Sequence, residues 1–365
     1  MARERSASYS SVCTVLSCTE DNFHLMFEDK HPTAYHVGLA KDIIFQRKAV
    51  LRGARALEYR LDIVLTNMMR YAPTVLGRRY VAVVICLANG DGDEKGRTLI
   101  EVAEQWVTRF FIPMLSRSES NGKGKKLPNP IVIPNMNDTA ALHVAQISDR
   151  DKAFRREVTK RDGTKCVITD RKGYNTSLRN EIVSNPPTRT PRARQWPDIY
   201  GNVEAAHIIP WSLNSKKRIE RQQNLKDVTA TWDILQSWTA VEKSDTSSGE
   251  ISIAEALSGE KINNIYNGII FDRHTHSVFD NYLFYFEEDK DQNPNKYTLT
   301  WTISGFNVIT NGHFIKEVTF TGDKGYVPDG RLLKIHASVA KCIIPAKYPE
   351  LFPKWDEWLT EVESN

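Results

Sequence analysis

The chain has 365 residues, 41% of them hydrophobic and 26% charged, a balance that can bury a core and argues against disorder as the main state. Its longest apolar stretches, such as Val81–Ala88, are far too short to span a membrane, and the N-terminus runs into serines without the apolar core of a signal peptide. Five scattered cysteines do not make a disulfide framework, so an intracellular protein, cytoplasmic or nuclear, is expected; a net charge of only +4 says little about partners.

In chain order, Ser11–Leu16, Phe23–Phe27 and Tyr35–Leu39 are short apolar runs that suggest strands of a small sheet. From Lys41 to about Tyr71, Ile43, Ile44, Val50, Leu51, Leu57, Leu61, Val64, Leu65 and Met68 recur at helical spacing. This predicts one long amphipathic helix, or two broken near Gly53, ended by Pro73. Tyr80–Ala88 fits a buried strand or a helix turn. Thr98–Phe111 reads as a helix that stops before Pro113. Ser116–Pro134, rich in Ser, Gly, Lys and Pro, is a linker candidate. An N-terminal accessory α/β domain is therefore expected at 1–115 and a flexible linker at 116–138.

A helix from about Asp149 to Arg161 leads into Gly163, and Ser184–Pro197 is a proline- and arginine-rich loop. The stretch from Tyr200 to Trp211 reads as a strand that ends at Pro210. The stretch from Lys216 to Ile265 contains helix-like segments (Val228–Val241, Ile251–Leu257) and is expected to be an inserted lobe, 216–265. Asn267-Gly268 is a turn signal, Ile269–Phe271 a short buried strand, and Asp272 the N-cap of a helix. Tyr282–Glu287, Tyr297–Ile303, Asn307–Ile309 and Phe314–Phe320 read as strands, Leu332–Ile343 as a helix, and Phe352, Trp355 and Trp358 as an edge packed on the core. Trp196, Trp211, Trp232, Trp238 and Trp301 suit base stacking, but core is the commoner use.

Charge is uneven along the chain. Between Asp151 and Glu220 there are 15 Lys and Arg against 8 Asp and Glu, a larger surplus than that of the whole protein. Such a segment suits a polyanion, although a solvated loop carries the same composition.

The chemistry is concentrated in Tyr200–Asp280. His207 lies near the end of its apolar run, in Ala205-Ala206-His207-Ile208-Ile209-Pro210-Trp211, and Glu204 precedes it by three. Later, His276 and Asp280 stand four apart on one helical face, a spacing that lets an imidazole and a carboxylate take adjacent positions on a divalent ion. Each has a plainer explanation alone: a hydrogen-bonded core histidine, a turn-forming Asn267, an exposed helix pair. The ordered set, with His276 nine residues after Asn267, resembles the HNH endonucleases of the ββα-metal superfamily. It is most similar to the fungal-type branch with an Ala-Ala-His-Ile-x-Pro-Trp strand and a His-x-x-Phe-Asp helix. Lys165-Cys-Val-Ile-Thr-Asp170 resembles the turn that opens modules of that branch, so the resemblance covers roughly Lys165–Tyr285.

The resemblance implies a hydrolase acting on phosphodiester bonds. His207 is implied as general base, Asn267 as the residue that holds the strand–loop geometry and orients that imidazole, and His276 and Asp280 as ligands of one divalent metal. Mg2+ is expected first, with Mn2+, Ni2+ or Zn2+ as alternatives. The implied products are a 5′-phosphate and a 3′-hydroxyl, and the implied partner is nucleic acid, double-stranded DNA in the first place; protein partners are not readable, and no membrane is implied. Arg189, Arg192, Arg194, Lys216, Lys217 and Arg218 are the expected phosphate contacts. Ala206 departs from the family, many of whose members carry a metal-binding acid or histidine immediately before the base. Glu204 is the candidate replacement, though on a regular strand it lies on the face opposite His207. The gap from His207 to Asn267 is longer than in compact modules, and paired zinc-knuckle cysteines are missing. The expected architecture is α+β: an N-terminal strand–helix domain, then a ββα-metal (HNH) domain at 139–325, extended by a small antiparallel sheet, and a C-terminal helical tail at 326–365 packed on it. The alternative function is a catalytically inactive module of the same fold that binds nucleic acid or protein, for which Ala206 is the main argument.

Overall fold

A computed structural model of the protein describes residues 20–89, 97–115, 152–173, 200–214, 225–241, 251–289, 295–304, 315–321 and 326–361. The N-terminal part is helical. Helices α1 (Glu20–Phe27), α2 (Thr33–Gln46) and α3 (Lys48–Gly53) lead through a short antiparallel hairpin, β1 (Arg55–Ala56) and β2 (Tyr59–Arg60), into α4 (Leu61–Arg70), α5 (Val75–Ala88) and α6 (Arg97–Gln105). Two expected strands are thereby corrected: Phe23–Phe27 lies in α1 and Tyr35–Leu39 in α2, while Ser11–Leu16 falls outside the described residues. The cause is a periodicity longer than either apolar run. In α2 the buried residues His36, Val37, Ala40, Ile43 and Ile44 recur at three- and four-residue intervals, which only a helix brings to one face. The long helical stretch breaks at Arg47 and again after Gly53, the second near the expected place, and Tyr80–Ala88 is helix.

Buried Arg79 of α5 ties down the connection between α1 and α2. It donates to the carbonyls of Phe27 (2.7 Å), Asp29 (3.0 Å) and His31, and to the Asp29 carboxylate (2.8 Å), which also meets His36 Nε2 at 3.0 Å. Helix α6 does not stop before Pro113. It continues as a wider π turn over Trp106–Phe111 and a last turn over Ile112–Met114. Pro113 has no N–H to offer the carbonyl of Arg109, and the hydroxyl of Thr231 donates to that carbonyl instead.

The next elements build the site. Helix α7 (Lys152–Asp162) ends at Gly163, whose φ of +79° is a left-handed conformation that glycine adopts without a side-chain clash. Strand β3 (Lys172–Gly173) pairs in parallel with β4 (Tyr200–Gly201), and β5 (Val203–His207) pairs antiparallel with β6 (Gly268–Asp272). Between β5 and β6 lie α8 (Leu225–Trp238), α9 (Ile253–Leu257) and 3-10 turns at Gly259–Asn263 and Ile265–Asn267. Helix α10 (Arg273–Asp280) follows β6 directly. A three-stranded antiparallel sheet comes next, in the order β7 (Phe284–Glu288), β8 (Lys296–Trp301), β9 (Glu317–Thr319), and then the long α11 (Gly330–Lys347). The expected strand Asn307–Ile309 lies outside the described residues. The architecture is α+β, with the β5–β6 hairpin and α10 set among helices and a small sheet.

One buried core runs from Phe23 to Leu359. Trp232 and Trp238 are fully buried in it, as expected of core tryptophans, whereas Trp196 lies outside the described residues. Trp238 Nε1 donates to the Met68 carbonyl of α4 at 3.0 Å, and Asn67 Nδ2 of α4 donates to the Lys341 carbonyl of α11 at 3.1 Å. The C-terminal helix thus packs on the N-terminal helices as well as on β7. Among the described residues, no helix is long and apolar enough to cross a membrane.

Helix α11 braces α10 through His336, whose ring stacks on Phe279 (3.8 Å between centroids) and Tyr282 (4.4 Å). Burial pushes this imidazole down to about 3, against the pull of the Phe279 carbonyl 3.2 Å from Nε2. The unfolded chain takes up this proton near pH 6.5 and the folded chain only near 3, so the contribution to stability is complete above pH 6.5 and is lost as the pH falls toward 3. His336→Phe should therefore be most destabilised relative to the parent at pH 7, with the gap closing by pH 4. Urea midpoints at both pH values check this, and a pH-independent gap contradicts it.

Candidate active site

The β5–β6 ladder runs Val203↔Asp272, Glu204↔Phe271, Ala205↔Ile270, Ala206↔Ile269 and His207↔Gly268, with no bulge. Successive side chains of β5 therefore alternate between two faces. On one face Ala205 and Ile270 pack on Phe154 and Val158 of α7. His207 shares that face: its ring stacks on Phe154 at 3.8 Å between centroids, and Nε2 lies 3.1 Å from Asn263 Oδ1. The imidazole is buried, 7% exposed. The opposite face carries Glu204, which reaches α10.

Asn267, fully buried, acts on backbone. Its Oδ1 accepts from Ile209 N at 2.8 Å, while Nδ2 donates to the carbonyls of Ile209 (3.0 Å) and Ile262 (2.9 Å). It therefore fixes the chain just beyond His207, and the imidazole itself is held by Asn263, a contact that sequence reading missed. Gly268 allows the close approach of α7, since a Cβ there would lie 2.6 Å from Val158 and 2.9 Å from the Phe154 ring. Arg161, at the end of α7, adds a clamp by donating to the carbonyls of Ile265 and Gly268, both at 2.6 Å.

Asp272 is the N-cap of α10, as its position after the strand predicts. Its Oδ1 accepts from His274 N (3.0 Å) and Thr275 N (2.9 Å); its Oδ2 accepts from the hydroxyls of Thr275 (3.0 Å) and Thr169 (2.6 Å). Burial pushes this carboxyl up, but these bonds outweigh it and hold the group below the usual carboxylate range. Thr169 belongs to the turn that begins at Cys166. That turn closes through Asp170 N to the Cys166 carbonyl (3.0 Å) and docks on β6 through Val167 N to the Ile270 carbonyl (3.1 Å). The Cys-x-x-Thr segment thus braces the cap of α10 with no need of a second cysteine, and burial pushes the Cys166 thiol up.

The helix presents His276 and Asp280 one turn apart, with Nε2 and Oδ2 separated by 3.3 Å. On the other side of the ring, Nδ1 lies 3.0 Å from Glu204 Oε1. Burial pulls His276 down, but the hydrogen bonds and charges of Asp280 and Glu204 outweigh it and lift the imidazole to about 9. His274 is exposed and stands apart from this cluster, as the helical spacing predicts. The helix stops in a left-handed residue, Tyr282 (φ +57°), whose amide bonds the Phe279 carbonyl while that of Leu283 bonds Val278. Its buried hydroxyl donates to the Met114 carbonyl at 3.0 Å, which anchors a conformation normally left to glycine.

The structure thus brings Glu204, His276 and Asp280 together and places His207 on the other face of the hairpin. Arg189, Arg192, Arg194, Lys216, Lys217 and Arg218 lie outside the described residues. Loss of the cap should loosen the whole helix: Asp272→Ala is expected to cost about 2 kcal/mol and Thr169→Val about 1 kcal/mol. In urea denaturation the double variant should lose less than the sum, because both changes remove the same bond. Additive losses would place the action of Thr169 elsewhere.

Among the described residues, no three His, Cys, Asp or Glu side chains form a ready metal cage. In the nearest arrangement both carboxylates hydrogen-bond the imidazole rather than converge on a point. The donor chemistry nevertheless fits two ligands of a hard divalent ion. Adjacent ligands with bonds of about 2.1 Å at right angles stand roughly 3 Å apart, close to the 3.3 Å between His276 Nε2 and Asp280 Oδ2.

Residues 166–287 match the model of the HNH endonuclease family. No curated protein and no solved structure matches the chain. The matched segment runs from the Cys166 turn through β5, β6 and α10 into β7, so that its hairpin and helix are the same elements that gather Glu204, His276 and Asp280. Over residues 166–287 the chain is therefore similar to the HNH endonuclease family.

Proposed function

We propose that the protein is a metal-dependent endonuclease that cuts double-stranded DNA. The observation that carries this reading is the His276–Asp280 pair on the helix after the β5–β6 hairpin, inside the HNH-matched segment. His276, through Nε2, and Asp280 are the ligands in this reading, with Glu204 behind the imidazole. Mg2+ is the first candidate, and Mn2+, Ni2+ or Zn2+ also suit a site of imidazole and carboxylate. Such an ion supplies charge stabilisation at the phosphoryl oxygens and the leaving 3′-oxygen. His207 accepts the proton of the attacking water, with Asn263 holding Nε2 and Asn267 fixing the chain that follows. Arg189, Arg192, Arg194, Lys216, Lys217 and Arg218 supply sequence-independent, salt-sensitive grip on phosphates.

One observation favours a second reading, a module of the same fold that binds nucleic acid or protein without cutting. His207 lies under Phe154, across the hairpin from His276, and position 206 holds an alanine where many relatives carry a ligand. The base role requires that ring to be uncovered, whereas a binding module leaves the stack in place.

Plasmid nicking with Mg2+, Mn2+, Ni2+ or Zn2+, controlled with chelator and paired with calorimetric metal titration, separates the two. The parent should nick only with metal. His207→Ala should lose about 10²- to 10⁴-fold in rate with metal binding intact. His276→Ala and Asp280→Ala should lose metal affinity and regain part of their activity at high metal concentration. Full activity in His207→Ala removes the base assignment, and no cleavage by the parent with any of the four ions leaves the binding module as the reading that stands.

A further inference from the structure

We propose that Glu204 is a positioning residue of the ion site: it holds His276 through Nδ1 and so presents Nε2 beside Asp280. The inference rests on the metal-dependent reading above and gives Glu204 a role distinct from that of a ligand.

Three observations carry it. First, the two carboxylates approach different nitrogens of one ring, Glu204 Oε1 at 3.0 Å from Nδ1 and Asp280 Oδ2 at 3.3 Å from Nε2. The in-plane directions of the two nitrogens diverge, so an ion shared by Nε2 and Asp280 is out of reach of an oxygen hydrogen-bonded at Nδ1. Second, an imidazole that binds an ion keeps one N–H, and the acceptor placed on that N–H decides which nitrogen is left for the ion. In the ion-free protein both carboxylates accept from the ring; with an ion bound at Nε2, a carboxylate at Nδ1 keeps the remaining N–H there and leaves the lone pair on Nε2, the nitrogen next to Asp280. Third, the strand explains why Glu204 is the residue that arrives there. Residues 204 and 206 share a face of the bulge-free β5, and Ala206 is buried with only a methyl to offer. An acid one pleat earlier reaches the same helix but meets His276 at its far nitrogen. Glu204 comes from a strand that is locked to β6 at every position, so its carboxylate is held by a rigid element.

The test is calorimetric titration of Mn2+ into the full-length parent, Glu204→Gln and Glu204→Ala, with thermal melts to confirm folding. The Gln variant keeps an oxygen able to accept from Nδ1–H. It should retain most of the affinity, while Glu204→Ala loses about 10- to 100-fold. In the Zn2+-loaded protein, the His276 Nδ1–H proton should be visible by NMR in the parent and in Glu204→Gln, and lost to solvent exchange in Glu204→Ala. Equal losses in Gln and Ala would make Glu204 a ligand and overturn the inference; unchanged affinity in both would leave it no role. Either result lets the metal-dependent reading stand. A parent that binds no Mn2+ brings down that reading and this inference together.

Discussion

The bulge-free pairing of β5 with β6 sets what every side chain of the site can reach. Because side chains alternate strictly along a strand, the register Val203↔Asp272 through His207↔Gly268 sends Ala205 and His207 to α7 and Glu204 to α10. A slip of one residue would exchange the two sets. The register is held at both ends. At the His207 end, Asn267 bonds the Ile209 backbone in both directions and Arg161 grips the Gly268 carbonyl. At the other end, Asp272 ends the strand and opens the helix with the same carboxylate, braced by Thr169.

The electrostatics follow from that placement. Two carboxylates on one half-buried imidazole overcome the cost of its burial and raise its affinity for protons, whereas fully buried His336, with the Phe279 carbonyl at its Nε2, is pushed the other way. In the ion-free protein His276 holds charge between its two carboxylates, and an ion at Nε2 would take the place of one proton, whereas His336 stays neutral and packs on Phe279. The HNH-matched unit is also embedded. Tyr282 bonds the end of the α6 continuation, Thr231 completes the backbone of that continuation, and α11 spans β7 and α4. The helical N-terminal part therefore supports the helix that carries His276.

What the sequence made legible was local. The Asn267-Gly268 turn, the Asp272 cap and the His276–Asp280 pair are set by rules that act over two to four residues, and the structure follows them. Contacts that span the chain left no such trace. Asn263 meets His207 across 56 positions, Thr169 meets Asp272 across 103, and nothing in their local sequence marks them. Phe154 reads as one apolar residue of an amphipathic helix, yet it covers the candidate base. Glu204 was legible only by halves: alternation correctly sets it apart from His207, but its value lies in sharing the face of Ala206. The strands expected at Phe23–Phe27 and Tyr35–Leu39 failed because short apolar runs do not distinguish a strand from one turn of a buried helix.

The central claim is that this hairpin and helix hold one divalent ion between His276 and Asp280. Diffraction from crystals grown with Mn2+, with the ion located by its anomalous scattering, tests it most directly. The account predicts a peak about 2.2 Å from both His276 Nε2 and an Asp280 oxygen, with Glu204 still on Nδ1. A peak on other residues, with His276 still bridged between the two carboxylates, would contradict it.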